Sequence, residues 1–167
     1  MAIVYLCLGS NKENKLSYIQ QATRMLGDSG HLRVVRASTF YETEPWGNKN
    51  QEWFVNAVIE AQVDLSAEAL LELCQSVEAK LGRNRDIEER WGARTVDIDI
   101  LFYDNRILNT ERLCIPHNRL HERAFVLVPL MELIPDFVHP VLKKTILQLH
   151  EELENPEDVY LYGTRFV

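Results

Sequence analysis

The stretch from Arg90 to Tyr103, RWGARTVDIDILFY, carries two patterns in one run. In its second half Val96, Ile98 and Ile100 point one way, while Asp97 and Asp99 point the other. That alternation is the period-2 signature of a half-buried strand rich in β-branched residues. On such a strand the two carboxylates share a face, roughly 7 Å apart. Like charges held that way disfavour full ionisation, and a bound divalent cation removes the penalty. Magnesium suits the arrangement, because it takes one or two carboxylates and completes its shell with water and substrate phosphates. Gly82 to Arg94 brings Arg83, Arg85, Arg90 and Arg94 to the start of the same strand. Arginine makes forked contacts with phosphate, so an acid pair behind an arginine loop points to metal-assisted phosphoryl transfer. A strand with a merely solvated acidic face would account for Asp-x-Asp alone. The Arg-Trp-Gly-x-Arg run directly in front weighs against that reading.

Working outward, Ile3 to Leu8 is a compact apolar run read as a buried strand, closed by Gly9-Ser10-Asn11 as a tight turn. Leu16, Ile19, Ala22 and Leu26 recur at helical spacing before Gly27 and Gly30. Leu32 to Tyr41 reads as a second strand, and Glu42 to Glu52, with Pro45, Gly47 and Trp46, as a loop. Phe54 to Val63 returns as a strand on which Phe54 and Asn56 share a face. A stacking ring beside a hydrogen-bonding amide is a plausible heterocycle-binding pair, although a buried asparagine can equally be satisfied by neighbouring backbone. Ser66 is placed to cap a helix carrying Leu70, Cys74, Val77 and Leu81, with Glu78 near its end as a surface acid. After the aspartate strand, Ile107-Leu108 is expected to pair back as a hairpin arm. His117 and His121 are four apart, yet a zinc site lacks a third ligand there, and His117 fits a phosphate or base contact better. Ala124 to Leu133 is expected to be helical despite Pro129, as is Thr145 to Leu153, and 155–167 carries no pattern.

The order strand, helix, strand, strand, helix, strand implies an α+β, ferredoxin-like antiparallel sheet with helices mainly on one face. The other face would then be free for a site and would carry Asp97 and Asp99. A chain of 167 residues is expected to form a single domain over 1–167. The net charge of −7 argues against a nucleic-acid or anionic-membrane surface binder. Three widely spaced cysteines, Cys7, Cys74 and Cys114, read as core thiols. No secretory signal or apolar run long enough to span a bilayer is present, so the expectation is cytoplasmic.

The run Arg90-Trp91-Gly92-Ala93-Arg94-Thr95-Val96-Asp97-Ile98-Asp99-Ile100-Leu101 resembles the signature of the hydroxymethyldihydropterin pyrophosphokinases of folate biosynthesis, with Ala93 where proline is commoner. The resemblance extends from Ile3 to about Pro140, through Gly9-Ser10-Asn11, the segment from Phe40 to Asn56 and the segment from Pro116 to Phe125. It implies transfer of the terminal pyrophosphoryl group of ATP to the hydroxymethyl group of a dihydropterin, leaving AMP. It also implies that Asp97 and Asp99 hold two magnesium ions, and that Arg83, Arg94, His117 and Arg123 hold the phosphates. Glu78, Trp91, Ile100 and Arg112 would surround the nucleotide. Thr43, Pro45, Trp46, Phe54, Asn56 and Phe125 would form the pterin pocket. The partners implied are ATP and the pterin alone, with no nucleic acid or membrane, and a monomer is expected. The loops at 42–52 and 82–91 each hold a tryptophan and read as lids that keep water from the acceptor. Two other readings start from the same residues. One is a two-metal nucleotidyl transferase or cyclase, which would release pyrophosphate. The other is a non-catalytic nucleotide- or RNA-binding module, which the net acidity opposes.

Overall fold

A computed structural model describes residues 1–45, 47, 50–82 and 95–165. The strands are β1 (Ala2–Ser10), β2 (Leu32–Ala37), β3 (Tyr41–Thr43), β4 (Phe54–Val63), β5 (Asp97–Tyr103), β6 (Leu108–Asn109), β7 (Cys114–Ile115) and β8 (Val159–Leu161). The helices are α1 (Lys15–Asp28), α2 (Ala67–Lys80), α3 (Ala124–Leu133) and α4 (Ile146–Glu151). The main sheet runs β5-β1-β4-β3-β8, with β2 also on β4, and its pairings are antiparallel. The connections β1-α1-β2 and β4-α2-β5 each skip one strand, which is the split β-α-β order read from the sequence.

Alternation along β1, β4 and β5 builds two apolar layers. Val4, Leu6, Leu8, Ile59, Ile98 and Ile100 meet Ile19 and Leu26 of α1 and Leu70, Cys74 and Val77 of α2. Tyr5, Cys7, Val58 and Phe102 meet Val126, Leu127 and Leu130 of α3 and Ile146 and Leu149 of α4. The longer helices lie on the first face, as expected. The second face is not free along its whole length, because the apolar α3 needs burial on the sheet and takes the half around Tyr5 and Phe102. A register shift beside Tyr5 and Leu6 sets Leu101 out of the ladder, so Leu101 and Phe102 both reach this second layer.

Three local expectations change. The run Leu32 to Tyr41 is broken, since β2 ends at Ala37 and β3 starts at Tyr41. Ser38 fills the gap: its N–H donates to Val58 O at 2.8 Å and its Oγ accepts from Val58 N at 2.9 Å. Leu108 pairs with Ile115 in a separate two-stranded sheet and does not return to β5. The tail is structured, with Val159 opposite Thr43 and Leu161 opposite Tyr41. The cap at Ser66 forms as the sequence suggests, and the structure adds one at Thr145, within a full capping box with Gln148.

His139 is buried with its ring edge-on to Phe102. Its Nδ1 accepts from Val141 N at 3.2 Å and Leu142 N at 3.0 Å, and burial pushes its pKa down to about 4. The unfolded chain takes a proton at this histidine near 6.5 and the folded chain only near 4. Between those values the unfolded state holds more protons, so stability falls as pH drops through that window. An imidazole titration followed by NMR should place the His139 midpoint near 4. A midpoint at the ordinary value would show that burial does not hold the ring neutral.

Candidate active site

Register brings the candidate residues together. In the antiparallel ladders Asp99 stands opposite Cys7, and Asp97 opposite Gly9. Gly9 in turn stands opposite Asn56, Asn56 opposite Tyr41, and Phe54 opposite Thr43. Directly paired residues share a face, so the aspartates, Gly9, Asn56, Phe54 and Thr43 all lie on the second face, at the end beyond the Tyr5 and Phe102 layer. Neighbouring strands are about 4.8 Å apart, so Asp97 and Asn56, two strands apart, are separated by about 10 Å.

The acceptor-side residues are tightly held. Asn56 is 4% exposed and donates Nδ2–H to Thr43 Oγ1 at 2.6 Å. Gly9 lies inside β1, not in a turn, and the reason is steric. A Cβ there would overlap Asn56 Oδ1 and stand 3.3 Å from Asn56 Cγ. Asn11 Nδ2 donates to Gln51 Oε1 at 2.7 Å and Glu52 O at 3.2 Å, which ties the end of β1 to the segment before β4. Pro45 is buried, and Phe54 and Phe125 are half-buried. Trp46 lies outside the described residues.

On the aspartate side Glu78 is 2% exposed, not the surface acid expected. Its Oε2 accepts from Ile98 N at 2.9 Å, between the two aspartates. β5 is an edge strand, and an edge leaves outward N–H groups that need partners. Glu78 thus fixes the strand that carries Asp97 and Asp99, reaching it from the α2 layer. Ile100 is 4% exposed in the core against α1 and α2, so its side chain is not on the aspartate face. Arg112 is exposed, 4.0 Å from Glu72 of α2. Arg83, Arg94 and Trp91, with Arg85, Arg90 and nearly all of the 82–91 loop, lie outside the described residues.

Two basic groups border the aspartates from the segment leading into α3. His117 N donates to Leu101 O at 3.1 Å, and its Nδ1 accepts from Arg119 N at 3.2 Å. Burial pushes its pKa down to about 4 and Arg123 and Arg119 act the same way, against Asp97. The ring is therefore neutral near pH 7, and with Nδ1 accepting, the proton sits on Nε2. Arg123 is buried, with its guanidinium 5.4 Å from the centre of the Phe125 ring. Burial lowers its pKa, while Asp99 and Asp97 raise it. His121 pairs with Glu122 at 3.8 Å and does not share a helix face with His117, which precedes the short 3-10 turn Leu120–Glu122. Neither Arg119 nor the close contact at Gly9 carries a signal in the local sequence pattern.

The profile of the 7,8-dihydro-6-hydroxymethylpterin-pyrophosphokinase family matches residues 5–135. The chain belongs to this family. It is an ATP-dependent pyrophosphokinase of folate biosynthesis, and the nucleotidyl-transferase alternative is not favoured. A 2-amino-4-hydroxy-6-hydroxymethyldihydropteridine pyrophosphokinase of Methylorubrum extorquens is 46% identical over 138 residues, 83% of this chain and 86% of the relative. The Bacillus subtilis protein of the same name is 42% identical over 131 residues, 78% of this chain and 77% of its own. A folic acid synthesis protein of Pneumocystis carinii is 41% identical over 150 residues, 90% of this chain but 20% of that protein. Among solved structures, an HPPK-DHPS in complex with substrates superposes with a TM-score of 0.70 at 16% identity. It covers 90% of this chain, and the chain spans 43% of that longer one. The wild-type Plasmodium falciparum HPPK-DHPS gives 0.69 at 16% identity, over 90% of this chain and 44% of its own. At that identity the likeness bears on the fold, and it agrees with the ferredoxin-like order of this pyrophosphokinase.

The Gly9–Asn56 contact is testable without any assay of turnover. Gly9→Ala should destabilise the protein by about 1–3 kcal/mol, as overpacking does. Asn56→Ala should remove the clash, so Gly9→Ala should cost much less in that background. The readout is a double-mutant cycle of unfolding free energies, and additive values would mean the two residues do not collide.

Proposed function

We propose that the pyrophosphoryl group of ATP passes to the hydroxymethyl group of 6-hydroxymethyl-7,8-dihydropterin, releasing AMP, on the end of the second sheet face that carries Asp97, Asp99 and Asn56. One observation carries this reading: the register row Asp97–Gly9–Asn56 places a carboxylate pair and a buried amide side by side on one surface. The pterin takes the Asn56 side, with Thr43, Pro45, Trp46, Phe54 and Phe125 around it. A flat heterocycle needs apolar faces and a few fixed polar groups, and half-buried rings beside a hydrogen-bonded amide supply both. The nucleotide takes the β5 side, near Glu78, Trp91, Ile100 and Arg112. Glu78 acts there by fixing the strand, and Ile100 contributes backbone and core packing.

Asp97 and Asp99 fit a hard cation. They are two carboxylates on one strand face, and among the described residues no third acidic, histidine or cysteine ligand completes the set. Such a set suits ions that keep water and borrow phosphate oxygens. We assign them two magnesium ions, which when bound neutralise phosphate charge and make a hydroxyl easier to deprotonate. The protein's own task is positioning and charge. Arg123 directs its guanidinium charge at the same region, and neutral His117 has its Nε2–H to donate to a phosphate oxygen. Arg83 and Arg94 complete the phosphate contacts. We assign a monomer with a single domain over 1–167. Free Cys7, Cys74 and Cys114 suit a reducing cytoplasm. Among the described residues no helix is long and apolar enough to cross a membrane.

With ATP, magnesium and the hydroxymethyldihydropterin, the products should be AMP and the pyrophosphorylated pterin. ADP, or free pyrophosphate in proportion to turnover, would overturn the reading. Asp97→Ala and Asp99→Ala should each reduce turnover by at least about a hundredfold. Their stability should hold or rise, because removing one carboxylate relieves repulsion. Near-normal turnover at saturating magnesium would remove the metal assignment.

Arg83→Ala and Arg94→Ala should slow the chemical step more than they weaken ATP binding, because a cation aimed at migrating charge acts chiefly in the transition state. Single-turnover rates beside equilibrium nucleotide binding separate the two effects. Equal losses would make these arginines ground-state binding groups.

A further inference from the structure

The family profile ends at residue 135, yet the tail beyond it touches both walls of the acceptor pocket within three residues. Val159 pairs with Thr43, and Asp158 O accepts from Glu44 N at 2.9 Å, beside Pro45. Immediately before them, Glu157 is 9% exposed and its Oε2 accepts from Phe125 N at 3.2 Å. Phe125 lies in the first turn of α3, where N–H groups have no partner within the helix. The N-cap residue Arg123 makes no side-chain cap there, and the first turn holds no acid. Glu157 supplies from across the chain the anion that a helix start favours. The rest of the tail is clamped to the same edge. Gly163 N donates to Glu42 Oε1 at 3.2 Å, and the Arg165 guanidinium lies 4.1 Å from the Trp53 ring centre.

We propose that Glu157 is a positioning residue for the acceptor: it holds the first turn of α3, and so Phe125, at a set distance from the Thr43–Pro45 wall. The inference rests on the acceptor pocket assigned above. A bond to a charged acceptor is lost in Glu157→Ala, and also in Glu157→Asp, whose carboxylate is one methylene short. Glu157→Gln keeps an oxygen of the same reach.

The test measures KM for the dihydropterin and for ATP, and kcat, in all three variants. In the Ala and Asp variants the dihydropterin KM should rise about tenfold, the effect of losing one such bond. ATP KM and kcat should stay within about twofold, and Glu157→Gln should recover most of the loss. If the Ala variant does not fold, the Asp and Gln pair still decides. An unchanged dihydropterin KM, or equal rises for both substrates, overturns the proposal. Should the unmodified protein form no AMP with the dihydropterin, the functional reading fails independently. The positioning role is then judged by amide exchange at Phe125, which should speed up in the Asp variant relative to the interior of α3. Unaltered exchange overturns it.

Discussion

β1 hydrogen-bonds along both of its edges, to β4 and to β5, and the two registers decide which side chains can meet. Side chains alternate across a sheet with a period of two. A slip of one residue in either ladder would turn Asp97 and Asp99 into the core and bring Ile98 and Ile100 out. The cost of burying two carboxylates, together with the loss of the α1 and α2 contacts, makes that slip prohibitive. The core therefore fixes the site: Ile98 and Ile100 are buried on one face, so Asp97 and Asp99, which alternate with them, stand on the other. Glu78 adds a second lock by accepting the N–H of Ile98 on the outer edge of β5.

The electrostatics follow from burial of the surrounding groups. His117 loses its charge because the environment is desolvated and already holds Arg123 and Arg119. Arg123 keeps its charge beside Asp97 and Asp99, which oppose the desolvation that would weaken it. One fixed cation and one neutral donor beside an acid pair form a mixed field. A mixed field of that kind suits the polyphosphate and metal ions proposed for it without an excess of either sign.

The second face is divided between stability and chemistry. α3 and α4 cover the half around Tyr5 and Phe102, and the other half carries Gly9, Asn56 and the aspartates. Glu132 of α3 strengthens the boundary by accepting from Thr39 N at 3.0 Å and Tyr41 Oη at 2.7 Å, across the gap between β2 and β3. Phe125 and Arg123 lie at the start of that helix, so whatever holds α3 also places a ring and a cation at the edge of the site. Covering one half of the face thereby shapes the other.

The run Arg90 to Tyr103 determined a good deal by itself. Alternation set the faces of Asp97 and Asp99, and helical spacing located α1 and α2. The order of elements implied the split sheet, and the long signature implied the family. These are local properties, written in neighbouring residues at fixed periods. The tertiary structure decided what depends on residues far apart in sequence. Glu78 is a strand-holding acid because Ile98 folds against it, and Gly9 must lack a side chain because Asn56 occupies the space. Ser38 interrupts an apparently continuous strand because Val58 offers both partners it needs. Residues 155–167 read as featureless because an edge strand of three residues has no period long enough to recognise. Only the packed sheet supplies the partner, Tyr41 to Thr43, that makes it one.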